Sequence, residues 1–261
     1  AETEQDFKEV LNVVISQAIN NTSAQVNLLD TYGKPTETDV NMTFTNSKTG
    51  KILNNYVHTL NYRDNPDTIY IDPSYLYDVK VHTIPPSTQK NITLTAGKHN
   101  TIALDAPQGY LSLKIDGITN YKNLQALIID QKSNEILNVQ DFNDQQKYII
   151  GTYKIELLTL PRITQESVTI SQNKTTTLQV QQPGKLNIVT RNSYEIAVFR
   201  NYKGEMELVK TLSLIPNSNI TVLQPGDYYL IYRATNTKET FSTKNMPFTI
   251  KSGEMKHINL K

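Results

Sequence analysis

Cysteine and tryptophan are both absent from the 261 residues. Without cysteine there is no disulfide, no thiolate nucleophile and no Cys-based zinc site. For an exported β-rich chain of this size, that lack points to bacteria. No apolar run approaches the roughly 20 residues of a membrane-crossing helix. No basic start followed by an apolar core marks a signal peptide, so the opening Ala-Glu-Thr-Glu reads as a processed end or as part of something longer. An excess of one charge is missing too. Lys and Arg number 26 against 25 Asp and Glu, a net +1, which removes the electrostatic case for nucleic acid or an anionic membrane. The 10 glycines are scattered at turns and seams, with no phosphate-cradling cluster and no Gly-x-Ser-x-Gly elbow.

What is present is tyrosine, 15 of them, with abundant Asn, Thr and Lys, the look of an exported or surface-exposed bacterial β-protein. One phrase occurs three times. Tyr77-Asp-Val-Lys-Val81, Tyr153 to Leu158 and Tyr228 to Arg233 alternate apolar and polar. Each is followed by a second short strand near Ile92, Val168 and Phe248, and a third near Ile102, Leu178 and Ile258. Alternation of this kind is the signature of a strand with one wet face. A recurrence at a period of about 75 to 80 residues means structural repeats. The repeats also open alike, on Val26-Asn-Leu28, Leu111-Ser-Leu113 and Leu186-Asn-Ile188. Ala106-Pro-Gln-Gly109 and Gln182-Pro-Gly184 are the seams, too short for free tumbling.

Residues 3 to 20 differ. Phe7, Val10, Leu11, Val14, Ile15, Ala18 and Ile19 recur at helical spacing, with Thr3 as a cap and Glu4 and Asp6 in the first turn. The polar face is acidic, unlike the basic face of membrane-surface helices, so the expectation is a helix packed on a neighbouring domain. The fold class is therefore mainly β: three tandem antiparallel β-sandwich domains, Ig-like or prealbumin-like, preceded by one amphipathic α-helix. The expected borders are 1–22 for the helix and 23–106, 107–182 and 183–261 for the sandwiches, arranged as a stiff rod.

Candidate sites are few. His58, His82, His99 and His257 lack metal-pair spacing and read as solvated turn residues. The loop Asn61 to Asp67 with Asp72 is the densest oxygen cluster, so Asp64, Asp67 and Asp72 are the metal candidates and calcium the ion they would suit. Turns are rich in Asp and Asn for their own reasons. Tyr75, Tyr77, Tyr229 and Tyr232 are the binding candidates, since tyrosine faces hold sugars and protein partners. Core packing is the competing reading for them. No catalytic residue is assigned and no cofactor is expected.

The run Val26 to Pro35, then Val40-Asn-Met-Thr-Phe44 and the Thr49-Gly50 turn, resembles the opening of carboxypeptidase-regulatory-like and transthyretin-like sandwiches, as does Leu223-Gln-Pro-Gly-Asp-Tyr228. The related collagen-binding-protein B-type repeats are similar as well. The resemblance covers residues 24 to 261 and implies seven-stranded, non-catalytic stalk or accessory modules of bacterial surface proteins. The helix and first repeat together resemble the junction in Bacteroidota-type proteins where a von Willebrand factor A domain runs into such sandwiches. The Asp-x-Ser-x-Ser motif of that domain is not in this chain. Some B-type repeats carry a Lys–Asn isopeptide crosslink, for which no lysine sits at a matching apolar position here.

The sequence thus supports a non-enzymatic stalk and interaction module, exported to the surface or periplasm of a bacterium. Its partner would be another protein or another domain of the same polypeptide, with no nucleic acid and no membrane insertion. A carbohydrate-binding module with tyrosine on a strand face is the alternative. A hydrolase would need two carboxylates converging in a cleft.

Overall fold

A computed structural model describes residues 4–117, 121, 123–214 and 217–260. Helix α1 (Glu4–Asn21) comes first. Seven strands follow: β1 (Ser23–Leu29), β2 (Val40–Asn46), β3 (Ile52–His58), β4 (Thr68–Tyr70), β5 (Tyr77–Val81), β6 (Ser87–Ile92) and β7 (His99–Asp105). The next seven are β8 (Gln108–Ile115), β9 (Gln125–Asp130), β10 (Ile136–Asp141), β11 (Gln145–Ile149), β12 (Gly151–Leu157), β13 (Ile163–Ile170) and β14 (Thr175–Val180). The last are β15 (Gly184–Thr190), β16 (Tyr194–Tyr202), β17 (Glu205–Leu214), β18 (Asn217–Leu223), β19 (Gly226–Ala234), β20 (Lys244–Ile250) and β21 (Met255–Leu260).

They pair into six sheets with one order repeated three times. The first set forms β4-β1-β7 and β3-β2-β5-β6, the second β11-β8-β14 and β10-β9-β12-β13, the third β18-β15-β21 and β17-β16-β19-β20. The architecture is mainly β, three sandwich-like pairs of sheets after one helix. In the first and third sets pairing is antiparallel except where the first strand meets the last: β1 runs parallel to β7, and β15 to β21. By compactness the chain divides into two units. One is Ala1–Leu111 with Gln146–Gly151 and Thr169–Thr176, and the other is Ser112–Gln145 with Thr152–Val168 and Thr177–Lys261.

Alternation does the folding work. Along β1, Ala24, Val26 and Leu28 are buried while their neighbours are half-buried, and they meet Phe44, Tyr77, Val79 and Val81 from the facing sheet in one apolar cluster. Leu186, Ile188, Val198, Tyr228, Leu230, Phe248 and Ile258 make the corresponding cluster of the third set. Each Val, Leu, Ile or Phe among them contributes roughly 1.5–3 kcal/mol when removed from water. A tyrosine hydroxyl closes the start of the central strand. Tyr77 donates to the carbonyl of Asp72 at 2.7 Å, and Tyr228 to that of Gln224 at 2.7 Å, which resembles the tyrosine corner of other sandwiches. The peptide bonds before Pro85 and Pro161 are cis.

The register of the first strand departs from the sequence reading. Ser23, Tyr110 and Lys185 donate their N–H groups to Lys98, Lys174 and Glu254, equivalent turn positions. Ala24 and Val26, not Val26 and Leu28, therefore match Leu111 and Leu113. A slip of two residues keeps every side chain on its own face, so the apolar pattern could not detect it.

Candidate functional site

The strand-face tyrosines do not form one surface. Tyr77 is 1% exposed and belongs to the first core, its hydroxyl turned to Asp72. Tyr75 lies ahead of β5, is 40% exposed and meets the Tyr77 ring edge-on at 6.1 Å. Tyr232 packs on the third core and meets Tyr194 edge-on at 5.9 Å. Tyr229 is half-buried, three residues away on the opposite face of β19. Strand period two explains the separation. Of the four, only Tyr75 offers much ring to solvent.

The tyrosines most open to solvent stand in or beside loops: Tyr62 at 87%, Tyr32 at 83% and Tyr70 at 74%. Tyr62 rides on the loop between β3 and β4, with the Arg63 guanidinium over its ring at 5.1 Å. The side chain of Asn61 holds that loop by accepting from the N–H groups of Arg63 at 2.9 Å and Asn65 at 3.2 Å. Sequence reasoning favoured alternating strands over loops, although turn residues around an aromatic were the available signal.

The three metal candidates are each engaged in local turns. Asp64 occupies a left-handed position, φ 58°, and donates its N–H to Asn61. Asp67 accepts from the N–H of Thr68 at 2.9 Å, and Asp72 from that of Ser74 at 2.8 Å. Among the described residues no three His, Cys, Asp or Glu side chains gather as a metal site would require. The better-anchored carboxylates lie elsewhere. The Lys34 N–H, then that of Tyr32, holds Asp30 below the usual carboxylate range. The Ser47 hydroxyl and the Asn91 N–H do the same for Asp78, and the N–H groups of Ser133 and Lys132 for Asp130. Each serves its own turn.

His58 is not the solvated residue the sequence suggested. It is 3% exposed, because it ends β3 facing inward beside a cavity of about 100 Å³ lined by Val26, Met42, Tyr56 and Ile69. Its Nε2 lies 2.8 Å from the Val26 carbonyl, which can only accept, so the proton sits on Nε2; Nδ1 is buried without a partner in the protein. Burial pushes the imidazole below its ordinary value, against the opposing pull of the Val26 carbonyl and Asp39. The other histidines bind locally: His82 to Thr43, His99 to Ser23 and Gln25, His257 to Asn187.

The connections after β7 and β14 are tied into the folded structure. Gln108 donates its backbone and side-chain N–H groups to the buried Glu37 carboxylate, at 3.1 and 3.3 Å, and Ile149 packs on the first core. Around the later connection, the Tyr121 hydroxyl bonds the Leu160 N–H at 3.1 Å and the Gln224 side chain at 3.2 Å, and Leu160 packs on the third core. On α1, Phe7, Val10, Leu11, Val14 and Ile15 are all 43% exposed or more. No helix among the described residues is long and apolar enough to cross a membrane.

No protein-family model matches the chain, and no curated protein does. Solved structures of bacterial adhesins and pilins are similar to it. The Bacillus anthracis TIE protein is 16% identical over 92% of this chain and 50% of that one, with a TM-score of 0.27, so the chain spans half the length of that protein. A putative adhesin of Bacteroides ovatus is 11% identical over 54% of this chain and 77% of its own, with a TM-score of 0.28. The minor pilin GBS52 of Streptococcus agalactiae is 11% identical over 61% of this chain and 93% of its own, with a TM-score of 0.27.

Proposed function

We propose that this chain is a non-catalytic stalk and interaction segment of a bacterial exported or cell-surface protein, in which short seams hold successive sandwiches and loops between strands meet a protein partner. The observation that carries the reading is the way the connections are built. Residues from one sandwich lie in the apolar cluster of its neighbour, Ile149 in the first and Leu160 in the third, where a flexible linker would leave polar chain in water. The most exposed tyrosines add to it, since an aromatic ring in water is uncovered area that a partner gains by burying. On this reading the sandwiches are of the carboxypeptidase-regulatory-like kind, and α1 joins them to an adhesion domain of von Willebrand factor A type. Partner contacts fall to Tyr62 in its loop and Tyr70 at the end of β4, ahead of the candidates Tyr75 and Tyr229.

The test has two arms. Antibody against the chain, applied to intact and permeabilised producing cells, reports where it resides; signal confined to the cytoplasm refutes export. An array of surface proteins and glycans, probed with the wild type and with Tyr62→Ala/Tyr70→Ala, reports what it meets. Protein ligands lost in the double variant support the reading, and glycan hits alone would replace it with the carbohydrate-binding one. Upstream sequence of the gene carrying Asp-x-Ser-x-Ser supports the adhesion-domain neighbour, and a lipoprotein signal directly ahead of Ala1 overturns it.

A further inference from the structure

The two connections share one bond that their sequences do not announce. The N–H of Ile149 donates to the carbonyl of Ile84 at 2.8 Å, and the N–H of Gln224 to that of Leu160 at 2.7 Å. Ile84 and Leu160 are each the seventh residue after the repeat tyrosines Tyr77 and Tyr153. Ile149 and Gln224 are each the fourth residue before Tyr153 and Tyr228. The same backbone pair thus recurs one repeat later, within one compact unit each time. The acceptor sits in the same local phrase, Thr-Ile-Pro and Thr-Leu-Pro, in which the threonine hydroxyl donates to the proline carbonyl: Thr83 to Pro85 at 2.7 Å, Thr159 to Pro161 at 2.6 Å. That bond spans the residue whose carbonyl accepts from the following sandwich. The remaining contacts differ, Glu37 with Gln108 at one connection and Tyr121 at the other.

The third sandwich breaks the phrase. Ala234, Thr235 and Asn236 stand where Thr-x-Pro stands in the other two. The connection to β20 lengthens and contains a short 3-10 turn at Thr240–Ser242, with Phe241 87% exposed. The phrase therefore marks the two turns whose carbonyls accept a bond from the following sandwich.

We infer that the Thr-x-Pro turn after the fifth strand of a sandwich is a docking surface whose partner is a following sandwich of the same topology, gripped through the backbone N–H four residues ahead of the tyrosine in that partner's fifth strand. Because the shared element is backbone, the outer side chains of either sandwich are free to change while the joint persists. Any sandwich offering an N–H at that place and an apolar residue beside it meets the requirement, which is a rule of composition for arrays of this fold.

The joint is tested in the full chain by removing the donor alone. Gln224 lies between β18 and β19, outside either strand, so Gln224→Pro deletes the N–H without breaking a ladder, whereas Gln224→Ala deletes the side chain and keeps the N–H. Cleavage of the segment 181–184 by a broad-specificity protease is the readout, with near-UV circular dichroism to report the cores. Loss of one buried backbone bond predicts a rate about three- to tenfold higher for Gln224→Pro than for Gln224→Ala. Ile149 ends β11 and packs on the first core, so Ile149→Pro is read against Ile149→Ala and is expected to raise cleavage at 105–109 above it. Equal cleavage of Gln224→Pro and Gln224→Ala, or wild-type cleavage of both proline variants, overturns the proposal. Should the proline variants fail to fold, Leu160→Ala takes their place. It must open 181–184 and leave 105–109 at the wild-type rate, and any other pattern counts against the joint.

Discussion

The sharpest structural prediction concerns Gly184. A Cβ built there would stand 2.5 Å from the Lys251 carbonyl oxygen, 2.6 Å from Ile250 Cγ2 and 2.9 Å from the Glu254 carbonyl oxygen. Two of the three are backbone atoms of the β20–β21 turn. That turn also accepts the Lys185 N–H at 2.9 Å, so it cannot withdraw without loosening the pairing of β15 with β21. Ordinary C···O approaches are about 3.3–3.6 Å, and the overlap must be relieved by moving chain. Overpacking of this kind costs about 1–3 kcal/mol. Replacing glycine also lowers the entropy of the unfolded chain, a gain of about 0.4–1 kcal/mol, so Gly184→Ala should lose about 1–2 kcal/mol net. Gly109 holds the same place one repeat earlier, against Ser171, and Gly109→Ala should behave alike. In the first sandwich the place belongs to Thr22, whose hydroxyl instead accepts the Gly97 N–H at 2.8 Å. Urea unfolding followed by tyrosine fluorescence measures the change. A neutral or stabilising Gly184→Ala would refute the close-approach reasoning.

His58 makes stability depend on pH. Its folded value is depressed from 6.5, so its contribution is complete above 6.5 and declines as pH falls from there through the folded value, because the unfolded chain then binds a proton the native one does not. His58→Gln should flatten that limb of a stability-versus-pH curve, and an unchanged limb assigns it to other groups. Tyr228→Phe removes the bond to Gln224 from a buried ring and should lower stability by about 1 kcal/mol, read from the denaturation midpoint. Tyr62→Ala, at a ring left open to water, should leave the melting temperature unchanged while weakening partner binding; a destabilised variant would mean the ring packs. Calcium and chelator should give the same melting temperature, since Asp64, Asp67 and Asp72 do not gather, and a rise of several degrees with calcium would show that they do.

Much of the architecture was legible in the residues themselves, because the pleat writes burial into alternate positions and the helix writes it at three and four. Tyr77, Tyr153 and Tyr228 announced three copies, and Phe7 to Ile15 announced α1. Local chemistry was legible too: turns at Asn46 to Lys51 and Asn201 to Glu205 fell where Asn and Gly favour them. The candidate site was far less so. Alternation said that Tyr75 and Tyr77 were neighbours but not which would be covered. Nor did it say that His58 would end a strand facing inward, because a polar residue at a strand end carries no periodic signal.

What the sequence determined by itself was the kind of element at each point and the number of times the set recurs, since both depend on neighbours a few residues away. Tertiary structure alone decided that β1 lies parallel beside β7, that the first strand sits two residues from its apparent register, and that Ile84 and Leu160 turn their carbonyls to the next sandwich. Those choices are made between residues tens of positions apart, through backbone groups that every residue carries and that no side-chain pattern can mark.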